Sequence, residues 1–293
     1  VIPSLFPMMV LSVMFTGNAS GKSGPFLNKL FKPIGVPTGL ESILITGLIG
    51  GYPTGAKCIS LALKENLLTQ TAARRLLIFC NNAGPGFIFG MAYHLFPSKT
   101  DLWMLWIIHI ISAVTTGFLL PKSTSDLPGS VKDSKYTLQE AVTSSVRTMA
   151  TVCAWIVLFK VLFSIMDPQL SRMPTKIQCI FYGLTELTNG MASLNTIESL
   201  SARFIMASGM LSFGGLCIFL QTRSIAASVF SRYIPGKILQ TLLSIFYASI
   251  WNFIYRQENC LSIIFASATL IILIIFLINM KLPIDFKQSL NYN

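Results

Sequence analysis

Charge is what this chain has least of. Of its 293 residues only 11% are Asp, Glu, Lys or Arg, and two are histidines. Soluble domains average about a quarter charged residues, so a sequence this poor in charge cannot cover itself with an aqueous surface. Acids are scarcer than bases, 11 against 22, which leaves a net charge of +11 and a pI of about 9.5. The basic residues fall mostly in short loops between apolar runs, where they set membrane orientation, so no nucleic-acid partner is expected. The six cysteines show no CxxC spacing and no histidine companions, which excludes a disulfide framework or a zinc site and leaves them as small buried hydrophobes. There is no HExxH, no cluster of intramembrane carboxylates and no Ser/His/Asp arrangement. Neither catalysis, a metal nor a cofactor is therefore expected. An initiator Met is also lacking, and the opening at Val1 inside an apolar run reads as a trimmed start with a membrane segment upstream.

What the sequence has is hydrophobicity. Apolar residues make up 53%, the mean hydropathy is +0.65, and apolar runs recur from end to end. This predicts an all-α, polytopic membrane protein, one membrane domain over 1–293. The stretch GLIGGYPTGAK, Gly47 to Lys57, stands out. Its flanking arms, Ile43 to Ile49 and Cys58 to Leu63, are each far shorter than the roughly 20 residues a spanning helix needs. The stretch itself holds four glycines and a proline, and non-helical backbone at membrane depth persists only where protein or a water-filled cavity satisfies it. The expectation for 40–63 is a re-entrant helical hairpin whose tip lines a site; the alternative is a spanning helix kinked at Pro53. Arg74 to Phe96 is long enough to span but is interrupted at Asn81 to Gly86, a broken helix. Spans are expected at Trp103 to Leu120, Leu138 to Met166, Ile238 to Tyr255 and Leu261 to Met280. The loop Gly17 to Pro25 falls one residue short of a phosphate-binding P-loop and lacks its preceding strand, so nucleotide binding is not expected there.

The pattern then returns. Gly183 to Leu194 resembles the first hairpin with Gly190 set on Gly55, and Ala202 to Gly215 matches Ala73 to Gly86 at a constant offset. The two units, 40–96 and 176–221, read as repeats, each a hairpin plus a broken helix. With both hairpins re-entrant, nineteen loop cations divide fourteen to five between the two sides, whereas with both spanning they divide eleven to eight. The positive-inside rule prefers the hairpins and makes the fourteen-residue side cytoplasmic. Three crossings separate the hairpins, which inverts the second relative to the first. Inverted repeats of discontinuous helices are a transporter plan.

Half-helices starting after Gly55 and Gly86 would aim positive dipole ends and unpaired N–H groups into such a site, with Lys57 beside them, so a small anionic solute is favoured. Lys57 reads either as binding charge or as a side chain reaching to headgroups. Glu186, inside the second apolar segment, reads as a coupling group for a proton or sodium ion, as a solute contact, or as a paired structural acid. Asn81, Asn82 and Asn189 either read the solute or cap broken helix ends. Gly51, Tyr52, Pro53, Thr54, Gly55, Gly84 and Ser212 complete the expected lining. His94 and His109, without acidic companions, read as interfacial or packing residues. The sequence leaves open a homo-oligomer, the coupling ion, and the choice between active and passive movement.

At GGYPTGAK (Gly50 to Lys57) and CNNAGPGFIFG (Cys80 to Gly90) the chain resembles the nucleoside-recognition, or Gate, domain family, and within it the YlbJ-type sporulation integral membrane proteins. The likeness runs over nearly the whole chain, including VIPSLFP at the start, and is weaker in the second repeat, where Glu186 and Asn189 lie. It implies a fold similar to concentrative nucleoside transporters and to the gate regions of iron transporters. It also implies a place in the mother-cell-derived outer forespore membrane and a part in moving dipicolinate toward the spore. Dipicolinate is a small dianion, in line with the charge reading of the site. A nucleoside carrier and a non-transporting assembly factor of sporulation are the competing expectations.

Overall fold

The computed structural model describes residues 2–17, 25–121, 136–257 and 259–281. Among them there are fourteen α-helices and no strand. The glycine loop at Gly17 to Pro25 and most of the polar loop at Pro121 to Thr137 lie outside the described residues.

The chain begins with α1 (Ile2–Gly17) and α2 (Pro25–Phe31), followed by α3 (Glu41–Gly50), α4 (Thr54–Lys64), α5 (Gln70–Cys80) and α6 (Pro85–Ala92). Two long helices come next, α7 (Lys99–Leu119) and α8 (Leu138–Leu170). Then come α9 (Thr175–Thr185), α10 (Leu187–Ser193), α11 (Leu200–Phe213), α12 (Leu216–Ile225), α13 (Tyr233–Arg256) and α14 (Asn259–Lys281). The starts follow local chemistry. Thr69, Ser98 and Ser199 accept from the first-turn amides of α5, α7 and α11, and Thr137 with Glu140 forms a reciprocal capping box at the start of α8.

Among the described residues four stretches are long and apolar enough to cross a membrane: Lys99–Leu119, Leu138–Leu170, Leu200–Ile225 and Ala227–Arg256. The outer side of α8 exposes Val157, Leu158, Val161, Leu162 and Ile165, and α14 exposes Ile271, Ile272, Ile274 and Ile275. An apolar surface of that extent is a lipid-facing one. This is an integral membrane protein.

Both short-armed segments fold back on themselves. A Cβ on Gly47 would lie 3.4 Å from the Gly55 Cα, and Thr46 Oγ1 is 3.6 Å from Cys58 Sγ, twelve residues on. A continuous helix would separate that last pair by about 18 Å. In the second unit Gly183 and Gly190 meet, and Cys179 Sγ reaches the Ser193 carbonyl at 3.3 Å. Each tip then rests on the break of its own discontinuous helix: Gly84 sits against Ile49 and Gly51, and Gly215 against Gly183 and Thr185.

The two breaks have different origins. Asn81 and Gly84 adopt extended backbone between α5 and α6, and Pro85 at the first position of α6 brings no N–H to satisfy. Between α11 and α12 two glycines, Gly214 and Gly215, both have φ +87°, a conformation other residues rarely adopt. Gly86, expected within the break, instead lies inside α6 with open space around it.

The core falls into two large clusters, one around Ile43, Ile59, Leu76 and Phe79, the other around Ile88, Leu105, Met191 and Phe204. α13 packs against α5, α7, α11 and α14, and so runs beside both breaks.

Candidate functional site

A cavity of about 460 Å³ lies where the two hairpin tips approach the first break. Gly50, Gly51 and Tyr52 of the first tip line it with Ala83 and Gly84 of the break and Pro85 to Phe87 at the start of α6. Glu186, Leu187 and Thr188 of the second tip, Gln221 of α12, Leu5 and Met8 of α1, and Val152 and Ile156 of α8 complete the wall. Its lining is mainly apolar, with a few polar groups converging on it, which is the usual make-up of a small-molecule pocket.

Of the expected site residues, Gly51, Tyr52, Gly84 and Glu186 line this cavity. Gly51 and Glu186 hold the same place in their hairpins, the single residues that end α3 and α9. Glu186 is 5% exposed, and its carboxylate accepts from Thr188 N at 2.9 Å and Asn189 N at 2.8 Å, capping α10. A carboxylate at a helix N-terminus meets both the free amides and the positive dipole end.

Lys57 is elsewhere. It lines a second, polar cavity of about 990 Å³ between α4 and the start of α8, with Lys64, Arg147, Ser60, Ser144 and Tyr136. The Glu140 carboxylate on that wall is already engaged by the amide and hydroxyl of Thr137. Among the described residues none of the three cations has an acidic partner, because the one ion pair is Arg256 to Asp101 at 2.8 Å. Burial and the Glu65 carboxylate that its hydroxyl donates to push Tyr136 up to about 12. The two charges expected in one site, Lys57 and Glu186, thus belong to different cavities.

The remaining residues stand behind the inner cavity as a polar hub. Pro53 and Thr54 form the start of α4, which begins one residue earlier than Gly55, and the Thr54, Ala56 and Lys57 amides there are bonded. Ala56 donates to Asn81 Oδ1 at 3.3 Å, while Asn81 Nδ2 donates to Thr222 at 3.0 Å and Tyr233 at 2.9 Å. Asn82 donates to Phe79 O, and its Oδ1 accepts from Lys237 Nζ at 3.1 Å and Gln240 Nε2 at 2.8 Å. Ala83 N donates to His109 Nε2 at 3.1 Å. That ring nitrogen carries no proton, so Nδ1 donates to Ser212 Oγ at 3.2 Å. Gly55 and Gly47 both stand against the Cys80 carbonyl, the close approach that requires glycine there. Asn189 faces the other way, accepting from Lys160 of α8 at 2.7 Å.

Sequence reading missed Lys237, Gln240, Tyr233, Thr222, Gln221 and Lys160. Lys237 counted as a loop cation because Pro235 and Gly236 precede it. Pro235 falls in the first turn of α13, where no N–H is needed, and Gly236 packs on Ile78, which brings Lys237 to the break. Arg75 and Arg203 were counted likewise, yet Arg75 binds the carbonyls of Ile34, Gly35, Gly117 and Pro121, and Arg203 those of Leu95 and Ile197. Removing Lys237 and Arg75 from the fourteen and Arg203 from the five leaves twelve against four, so the bias keeps its sign. The signal available for Lys237 was its distance from the end of an apolar run that continues to Tyr255.

The chain is 28% identical over 295 residues to the sporulation integral membrane protein YlbJ of Bacillus subtilis (strain 168), covering 85% of this chain and 72% of that protein. No protein-family model matches it, and no solved structure does.

Proposed function

Taking as premise that this chain belongs with the YlbJ-type sporulation membrane proteins, we propose that it is a transporter or facilitator for a small organic anion, dipicolinate during endospore formation. One observation carries the reading: two hairpin tips and a helix break converge on a cavity of about 460 Å³. That volume falls in the range of about 300–1,000 Å³ typical of small-molecule sites. In the proposal the units 40–96 and 176–221 are inverted repeats with re-entrant hairpins, as in concentrative nucleoside transporters. The protein sits in the outer forespore membrane, and rocking of the repeats alternates access. The outer cavity, with Lys57, Lys64 and Arg147, collects the anion, and Glu186 at the inner cavity carries any proton coupling.

The inner lining favours a second reading. It holds a carboxylate and no lysine or arginine, while Tyr52, Phe87 and Gln221 offer ring faces and an amide, which suits an uncharged nucleoside. Uptake of dipicolinate and of uridine into proteoliposomes of the purified protein separates the two. Saturable dipicolinate uptake that excess uridine does not reduce supports the anion reading, and the reverse result supports the nucleoside. Uptake of neither, with the protein correctly inserted, leaves the assembly-factor role.

A further inference from the structure

Lys237 is fully buried on a membrane-spanning helix, and no carboxylate pairs with it among the described residues. Its Nζ donates to Asn82 Oδ1 at 3.1 Å and to Gln240 Oε1 at 2.8 Å. The ring centres of Tyr52 and Tyr233 lie 5.1 and 5.8 Å from it. Every one of these neighbours is an amide oxygen or an aromatic face, which attracts a cation and offers no hydrogen to a lone pair. Gln240 Nε2 gives one of its hydrogens to Asn82 Oδ1 at 2.8 Å. Two amide oxygens and two ring faces make surroundings that suit a cation.

The place is equally specific. Asn82 lies in the unwound stretch between α5 and α6, and Tyr52 belongs to the first hairpin tip, donating to Leu211 O beside the second break. Oxygens freed by unwound helices at membrane depth are where discontinuous-helix transporters hold their coupling cation. Here a covalently attached cation occupies such a position. A buried charge without an anion is costly, and a side chain of similar volume without charge would avoid that cost.

We infer that the first helix break is a cation site filled by the protein's own Lys237 ammonium, so that no dissolved sodium ion is needed to complete it. The site stands on geometry alone. Its consequence, solute movement that does not require sodium, rests on the transport reading above.

Melting of the detergent-purified protein in sodium chloride, methylammonium chloride and choline chloride at equal ionic strength tests the site. The wild type should melt at one temperature in all three. Lys237→Ala should melt lower in choline and recover several degrees in sodium or methylammonium, as a small cation enters the vacated position. Lys237→Ser serves in the same way if Lys237→Ala is not recovered folded. Sodium-specific stabilisation of the wild type, or a folded variant that gains nothing from either small cation, overturns the inference. Proteoliposomes separate it from the function. Uptake that disappears when choline replaces sodium sinks the resident-cation idea and leaves transport standing. If no solute moves at all, transport falls and the melting result still decides the site.

Discussion

Gly55→Ala tests the packing on which the inner cavity depends. A Cβ on Gly55 would lie against the Cys80 carbonyl oxygen, 2.7 Å from its carbon and 2.8 Å from the Asn81 Cα, where ordinary contact begins at 3.4 Å. None of these atoms is the free end of a side chain. They belong to the end of α5, and Asn81 is held by Ala56, Thr222 and Tyr233. α4 therefore has to move off α5 as a unit, and overpacking of this kind costs about 1–3 kcal/mol, here at the upper end because backbone must shift. At about 2–4 °C per kcal/mol for chains of some 200 residues, the melting temperature should fall by roughly 6–12 °C. Gly86→Ala is the control. Nothing lies within 4 Å of its added methyl, and it sits inside α6, so the substitution should leave stability unchanged or raise it by about 0.4–1 kcal/mol. Differential scanning fluorimetry of the two variants in one detergent decides the matter. Gly55→Ala melting with the wild type, or Gly86→Ala falling as far as Gly55→Ala, would refute the close packing of the first hairpin on its break.

Replacing both Lys57 and Arg147 by Met should weaken binding of a dicarboxylate at the outer cavity by about fivefold or more for each charge, at about 1 kcal/mol or more apiece, and unchanged affinity in isothermal titration would remove that cavity from the anion route. Glu186→Ala should lose the α10 cap at a cost of about 1 kcal/mol, while Glu186→Gln should keep most of the stability yet lose the response of uptake to a pH gradient; a full wild-type response in proteoliposomes makes Glu186 purely structural. Asp101→Asn breaks the Arg256 pair between the start of α7 and the end of α13. A loss of about 2 kcal/mol is expected, between the values for surface and buried pairs, and a melting curve that does not move would count against it. His109→Phe should destabilise by about 1–3 kcal/mol because it leaves Ala83 N and Ser212 without their shared partner, and stability equal to wild type would mean that water replaces the ring.

The helix pairs that fold back were legible because arm length is a one-dimensional property: seven apolar residues cannot span, whatever surrounds them. Glycine marked the close approaches at Gly47, Gly55, Gly183 and Gly190 for the same reason, since a missing side chain is visible in the sequence before its neighbour is known. The partners of polar residues were not legible. Whether Asn81 reads a solute or caps a helix depends on Tyr233 and Thr222, more than a hundred residues away. Lys57 and Glu186 looked like members of one site because each lies in a hairpin, but a helix turn decides which way a side chain points. Lys57 falls on the α8 side of its hairpin and Glu186 at the very tip of the other. Lys237 was hidden by a local rule applied correctly in the wrong register, since proline marks a loop or a helix start equally well.

Residues 81 to 83 bond α7, α12 and α13, and every side-chain partner that the three take from helices beyond their own unit comes later in the chain: His109, Thr222, Tyr233, Lys237 and Gln240. The order of synthesis therefore matters. When α5 and α6 leave the ribosome, the Ala56 amide and the Phe79 carbonyl are already there to meet Asn81 Oδ1 and Asn82 Nδ2, but Asn81 Nδ2 and Asn82 Oδ1 wait for α12 and α13. A polypeptide stopped before Tyr233 holds the complete first hairpin and its break but leaves Asn81 without Tyr233 and Asn82 Oδ1 without Lys237 and Gln240. Completion of the N-terminal unit in this sense awaits α13, late in the chain's assembly, and a cell that degrades half-satisfied membrane segments would discard the fragment and keep the longer protein.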